Sequence, residues 1–178
     1  KTRMDAKKQE LKDRLAKIKD ERKKATVERI DGRLDALNAK RLEHFSNVLE
    51  KLSAVMEKIN VRVEKAAEKG LDVSAVRTAL SAADVAIVAS KTAITAQTAK
   101  TYTIVVTDET TLRQNVGVAR QALQADLKAV EQTVKNAREA VRSVATTLAK
   151  IPRVNEVDNQ STATPAASQS GTGEPATQ

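Results

Sequence analysis

Cysteine is absent from this chain of 178 residues, which removes disulfides, thiolate nucleophiles and cysteine-type zinc sites. The redox compartment is left open: an oxidising envelope or extracellular space suits such a chain as well as cytosol. Tryptophan is absent too, and Phe45 and Tyr102 are the only aromatic residues. Enzymes usually close their cores and pockets with aromatic rings, because each ring buries a large area. A core drawn from Leu, Val, Ile and Ala instead is expected to be thin and elongated. The single histidine, His44, lacks a ligand cluster in sequence. Glu43 is adjacent and points to another face, and Asn47 is a poor ligand, so an exposed or rim histidine is expected.

Other absences narrow the function classes. Five glycines form no phosphate-binding loop, and no Ser-His-Asp arrangement is suggested. Carboxylates lie at helical spacing among Lys and Arg, as solvated faces do, rather than as an acid–base pair. No run of eighteen apolar residues exists, so no membrane span is expected. No enzyme activity, cofactor, metal or small-molecule substrate is expected. The first residue is Lys rather than Met, so an upstream segment is expected: a signal peptide or a longer protein.

What is present is periodic. Leu123, Leu127, Val130, Val134, Ala137, Val141, Val144, Leu148 and Ile151 alternate steps of four and three. Leu42, Phe45, Leu49, Leu52, Met56, Ile59, Val63 and Ala66 do the same. That period lines one face of a helix with side chains that must be buried against other helices. Charged residues make up 30% of the chain, which points to long helices as well.

The first helix is expected to run over residues 2–69, about 100 Å at ~1.5 Å per residue, with Gly32 its only weak point. Residues 1–31 carry twelve Lys or Arg against seven Asp or Glu, net +5, around a sparse stripe. Gly70 is expected to close this helix in the left-handed conformation, with Asp72 capping the next and Leu71 and Val76 stapling the turn. The second helix, about 73–104, carries Arg77, Asp84 and Lys91 seven apart as one polar ribbon, opposite Val73, Val76, Leu80, Ala83, Ile87 and Ile94. This ribbon argues for a central bundle helix rather than a span. Residues 101–107 are β-branched but have no strand to pair with, so they read as a frayed helix end and a turn. Thr107 or Asp108 is expected to cap a third helix over 108–151, which Pro152 ends. Residues 152–178, rich in Ser, Thr, Ala, Pro and Gln, read as a disordered tail or linker.

Short turns make neighbouring helices antiparallel. The expected fold is therefore all-α: an up-down-up three-helix bundle of spectrin-repeat shape over residues 32–151, with helices about 32–69, 73–104 and 108–151. A charged helical arm at 1–31 projects from it.

The arm supplies the candidate functional residues. Met4, Leu11, Leu15 and Ile18 form a docking stripe for self-association or a partner helix. Lys7, Lys8, Lys12, Arg14, Lys17, Lys19, Arg22, Lys23 and Lys24 could instead contact the phosphates of a nucleic acid or of an anionic membrane surface. Interleaved carboxylates dilute that field, and no aromatic residue in the arm can stack on bases. A chaperone with an apolar groove is a third reading, which the closed stripes disfavour.

Residues 29–59, RIDGRLDALNAKRLEHFSNVLEKLSAVMEKI, resemble uncharacterised exported helical proteins of candidate-phylum bacteria, with a charged coiled-coil region and a polar tail. The resemblance implies a location in the periplasm, at the cell surface or outside the cell, and carries no site residues. The combined expectation is a non-enzymatic structural or interaction protein of the bacterial envelope, with itself or another helical protein as partner and polyanion binding as the alternative.

Overall fold

The computed structural model describes residues 2–154. They form four helices and no strand: α1 (Thr2–Leu15), α2 (Glu21–Glu68), α3 (Ser74–Thr98) and α4 (Leu112–Ala149). Of the tail expected over 152–178, residues 152–154 form a turn whose Val154 is buried in the core, and the rest lies outside the described residues. The apolar stripes hold. Leu123 through Leu148 are all buried on α4, as are Leu42, Phe45, Leu49, Met56, Ile59, Val63 and Ala66 on α2. On α3 the face Val76, Leu80, Ala83, Ile87 and Ile94 is buried, preceded by Val73.

One expected long helix is two. Over residues 16–20 the chain leaves the helix, and Asp20 takes an extended conformation at the N-cap of α2. Its carboxylate accepts from the Arg22 and Lys23 amides at 2.9 and 3.3 Å. Glu109, ninety positions along the chain, accepts from the Lys19 and Asp20 amides at 2.8 and 3.1 Å. Two carboxylates thus satisfy the N–H groups that the interrupted helix frees. No break falls at residue 31, and Gly32 sits inside α2. The break lets α1 fold back on α2, where Lys7 reaches Asp31 and Asp35.

The Gly70 closure after α2 is as read, but the cap is not: the N-cap of α3 is Val73, one residue past Asp72, and it makes no side-chain cap bond. Gly70 has φ +76°, its N–H donates to the Ala67 carbonyl at 2.9 Å, and the Leu71 N–H donates to the Ala66 carbonyl at 3.0 Å. This is a Schellman closure, and glycine adopts its left-handed residue at no steric cost. Asp72 then accepts from the Ser74 amide at 2.9 Å.

α2, α3 and α4 each pack on the other two. Glu64 meets Arg77, and Asn38 meets Gln97, so α3 runs back along α2. α3 and α4 make the closest pair, consistent with short side chains such as Ala79, Ala86, Ala93 and Ala140 against the core. The second helix ends at Thr98 rather than 104, and the third begins at Leu112 rather than 108. Asp108 accepts from the Thr110 and Thr111 amides, capping the turn that leads into α4. Residues 101–107 are neither helix nor tight turn. They run extended, with Tyr102, Ile104 and Val106 buried and Val105 exposed, and Asn115 of α4 donates to the Val105 carbonyl at 2.9 Å. Their buried side chains recur every second residue and press on helices instead of pairing in a sheet.

Glycine positions offer a direct check. A Cβ at Gly32 meets nothing within 4 Å, whereas Gly70 holds a positive φ. Gly32→Ala is expected to stabilise the fold by about 1 kcal/mol, and Gly70→Ala to destabilise it by a similar amount, in urea unfolding.

Candidate functional site

The fold places the arm residues in unexpected surroundings. Leu11, Leu15 and Ile18 are 3%, 2% and 1% exposed, so the docking stripe is used up inside the chain. The Met4 side chain lies outside the described residues. Lys7 is no anion contact: it is 6% exposed, donates to both Asp35 oxygens at 2.8 and 3.0 Å, and lies 3.2 Å from Asp31 Oδ1. Burial pushes the Asp31 carboxyl above its usual range, and Lys7 only partly offsets this. Arg14 pairs with Glu10, Lys24 with Glu21, and Lys23 with Glu109 at 3.0 Å. That leaves Lys8, Lys12, Lys17, Lys19 and Arg22 exposed, with no ion pair among the described residues. His44 is exposed beside Phe45, as read.

A polar network that sequence reasoning missed joins three helices. Gln97 of α3 is buried and donates through Nε2 to Asn38 Oδ1 of α2 at 3.1 Å and to the Tyr102 hydroxyl. Tyr102 donates to Asp126 Oδ2 of α4 at 2.6 Å, and Lys100 Nζ lies 2.8 Å from Asp126 Oδ1. Burial, then the Asp126 carboxylate, pushes the Tyr102 phenol up to about 12. Lys100 and then Tyr102 hold the Asp126 carboxyl below its usual range. This phenol is locked as a donor, and the network fixes where α3 ends and the extended segment starts. Asn38 and Gln97 both sit on apolar faces, and a polar residue on a core stripe is the signal that could have revealed it.

The outer seam between the first parts of α2 and α4 holds a groove of about 610 Å³. Val27 and Ile30 of α2 and Leu112 and Val116 of α4 line it, with Thr26 and Gly117 beside them. Val27 and Leu112 belong to the core, so the groove opens directly onto it. Its rim is basic: Arg22 and Lys23 on one side, Arg113 and Arg120 on the other. Lys23 is neutralised by Glu109, whose carboxyl is held low chiefly by that lysine and then by the Asp20 and Lys19 amides. Arg22, Arg113 and Arg120 form no ion pair among the described residues. An apolar floor between guanidinium rims can bind a group that is greasy on one side and anionic on its flanks. Among the described residues no three His, Asp or Glu gather as metal ligands would.

Comparison with known proteins returns no match: no family model, curated protein or solved structure is similar to this chain.

The two internal polar clusters make separable predictions. Lys7→Met leaves two carboxylates facing each other without a cation, and is expected to cost about 3 kcal/mol at neutral pH. Hydrogen exchange should show α1 amides losing protection first. The deficit should shrink as falling pH protonates Asp31. Tyr102→Phe should cost about 2 kcal/mol at pH 7, the value of a hydrogen bond to a charged group. The native phenol lies above its ordinary value near 10, so its contribution is complete below about pH 10 and is lost as pH rises through about 12. Unfolding followed across that interval should therefore be steeper for the parent than for Tyr102→Phe.

Proposed function

We propose that this protein is a non-enzymatic structural and interaction protein, a rigid helical body that docks another helical protein at the bacterial envelope or outside the cell. In this reading α2, α3 and α4 are an up-down-up three-helix bundle of spectrin-repeat shape, with α1 as a clasp on its side. The observation that carries it is the α2–α4 groove: an open apolar floor continuous with the core, between rims of unneutralised arginine. An aliphatic core nearly free of aromatic residues supports a spacer rather than a catalyst. The resemblance of residues 29–59 supports the location. α3 is long and apolar enough to cross a membrane by length and composition. Its packing on α2 and α4 and its buried Ser90 and Gln97 support a bundle role instead.

Polyanion binding is the second reading, favoured by exposed Lys8, Lys12, Lys17 and Lys19. It is weakened because Lys7, Arg14, Lys23 and Lys24 are occupied by carboxylates.

Site-specific photo-cross-linking in the source cells separates the two. A photoreactive residue at Gly117 is expected to give a discrete, protease-sensitive adduct, while one at exposed Ala145 gives none. Nuclease-sensitive or lipid adducts from position 12 would transfer the assignment to polyanion binding. Absence of adducts from both 117 and 12 overturns both readings.

A further inference from the structure

We infer that the α2–α4 groove receives an acidic amphipathic helix of a partner protein. The inference rests on the interaction role proposed above and adds the partner's chemistry. Val27 and Ile30 are one turn apart on α2, and Leu112 and Val116 are one turn apart on α4. Two helices side by side thus offer paired rows of apolar side chains at helical spacing, into which the i, i+3, i+4, i+7 face of a third helix fits. Arg113 and Arg120 are seven residues apart on one rim, about 10 Å along the axis. Carboxylates seven apart on a partner helix share that spacing. Arg22 meets the opposite flank, and each guanidinium fork can take a carboxylate in bidentate fashion.

Other occupants fit less well. Nucleic acid would leave the apolar floor unused and finds no aromatic platform there. A bilayer takes projecting apolar groups, whereas these are recessed between helices. Residues 155–178 contain Glu156, Asp158 and Glu174 but only Val157 as a large aliphatic, too little to fill the floor. A second copy offers Glu50, Glu57 and Glu64 only beside Lys51, Lys58 and Lys65, which cancel their charge.

The test is fluorescence anisotropy of the full chain against two labelled designed helices at physiological salt. Each has a leucine stripe at three-four spacing; one carries glutamate along both flanks and the other lysine at the same places. The acidic helix should bind at least about tenfold more tightly than its twin, a difference that two or three such ion pairs can supply. Arg113→Glu with Arg120→Glu should invert the preference. Gly117→Phe should abolish binding of both, because its ring fills the groove from an open position. Circular dichroism verifies that each variant is folded. Equal binding of the twins, no binding, or insensitivity to the charge reversal overturns the inference. So does displacement of the acidic helix by phosphatidylglycerol vesicles, or a dimer by light scattering that the peptide dissociates. If position 117 still cross-links to a protein in cells while the acidic preference is missing, the docking role survives and only the partner's chemistry falls. Loss of both results removes both.

Discussion

Two helices of 48 and 38 residues lie along a third of only 25, so much of their shared apolar face has to be covered by something other than α3. At about 1.5 Å per residue, α3 falls about 20 Å short of α4. The remaining stretch carries Leu34, Val27, Leu112 and Ala119, all buried. Two other parts of the chain supply the cover: extended residues 101–107 lie along α4, and α1 folds back on α2. A loop in this position is costly, since its backbone groups need partners, and it is tolerated because every second side chain is apolar and points inward. The break at residues 16–20 follows from the same shortage. A continuous helix would carry Leu11, Leu15 and Ile18 out into water. Folding back buries all three, each worth roughly 2 kcal/mol before the entropy of ordering.

Carboxylates hold these improvised parts in place. Asp20 and Glu109 satisfy the amides at the break, Asp126 receives the phenol and the ammonium that begin the extended segment, and Asp31 and Asp35 receive the cation of α1. Asp31 is the expensive member, because burial outweighs its attraction to Lys7. Such a pair contributes register more securely than stability: with Lys7 fixed between two aspartates one turn apart, α1 cannot slide along α2 without stranding a charge.

The long stripes were legible because three-four spacing over six or more turns has no other physical solution. The break was also written in the residues, as a slip of phase. Leu11, Leu15 and Ile18 keep one register, and the next buried positions, Val27, Asp31, Leu34, Asn38 and Leu42, resume only after a gap of nine. Unbroken helix propensity and the absence of Pro and Gly masked that slip. Asp31 and Asn38 on an otherwise apolar stripe marked buried partners without saying which. The β-branched run over residues 101–107 suggests no strand, because a lone strand has no neighbour to pair with. Tyr102, Ile104 and Val106 need none, since their side chains, rather than the backbone, make the contacts. The groove was not legible at all. Arg113 and Arg120 share a helix face by spacing, but nothing local puts Val27 and Ile30 beside them.

Charge is distributed unevenly along the α2–α4 seam, and that unevenness gives the groove its meaning. Farther up the seam, Glu131 of α4 is surrounded by cations: Lys135 lies 2.8 Å away, and Arg41 of α2 and Lys128 also draw its carboxyl down. There α4 carries its own countercharge. At the groove the same seam is open to its apolar floor, the one lining carboxylate, Glu109, is taken up by Lys23, and Arg22, Arg113 and Arg120 form no ion pair among the described residues. In a chain of net +8, leaving three guanidiniums together costs little while water screens them. Their attraction for an incoming anion grows once the floor is covered and that water leaves. A helix seated there would therefore supply together apolar cover and countercharge for the three arginines, and neither alone would hold it firmly.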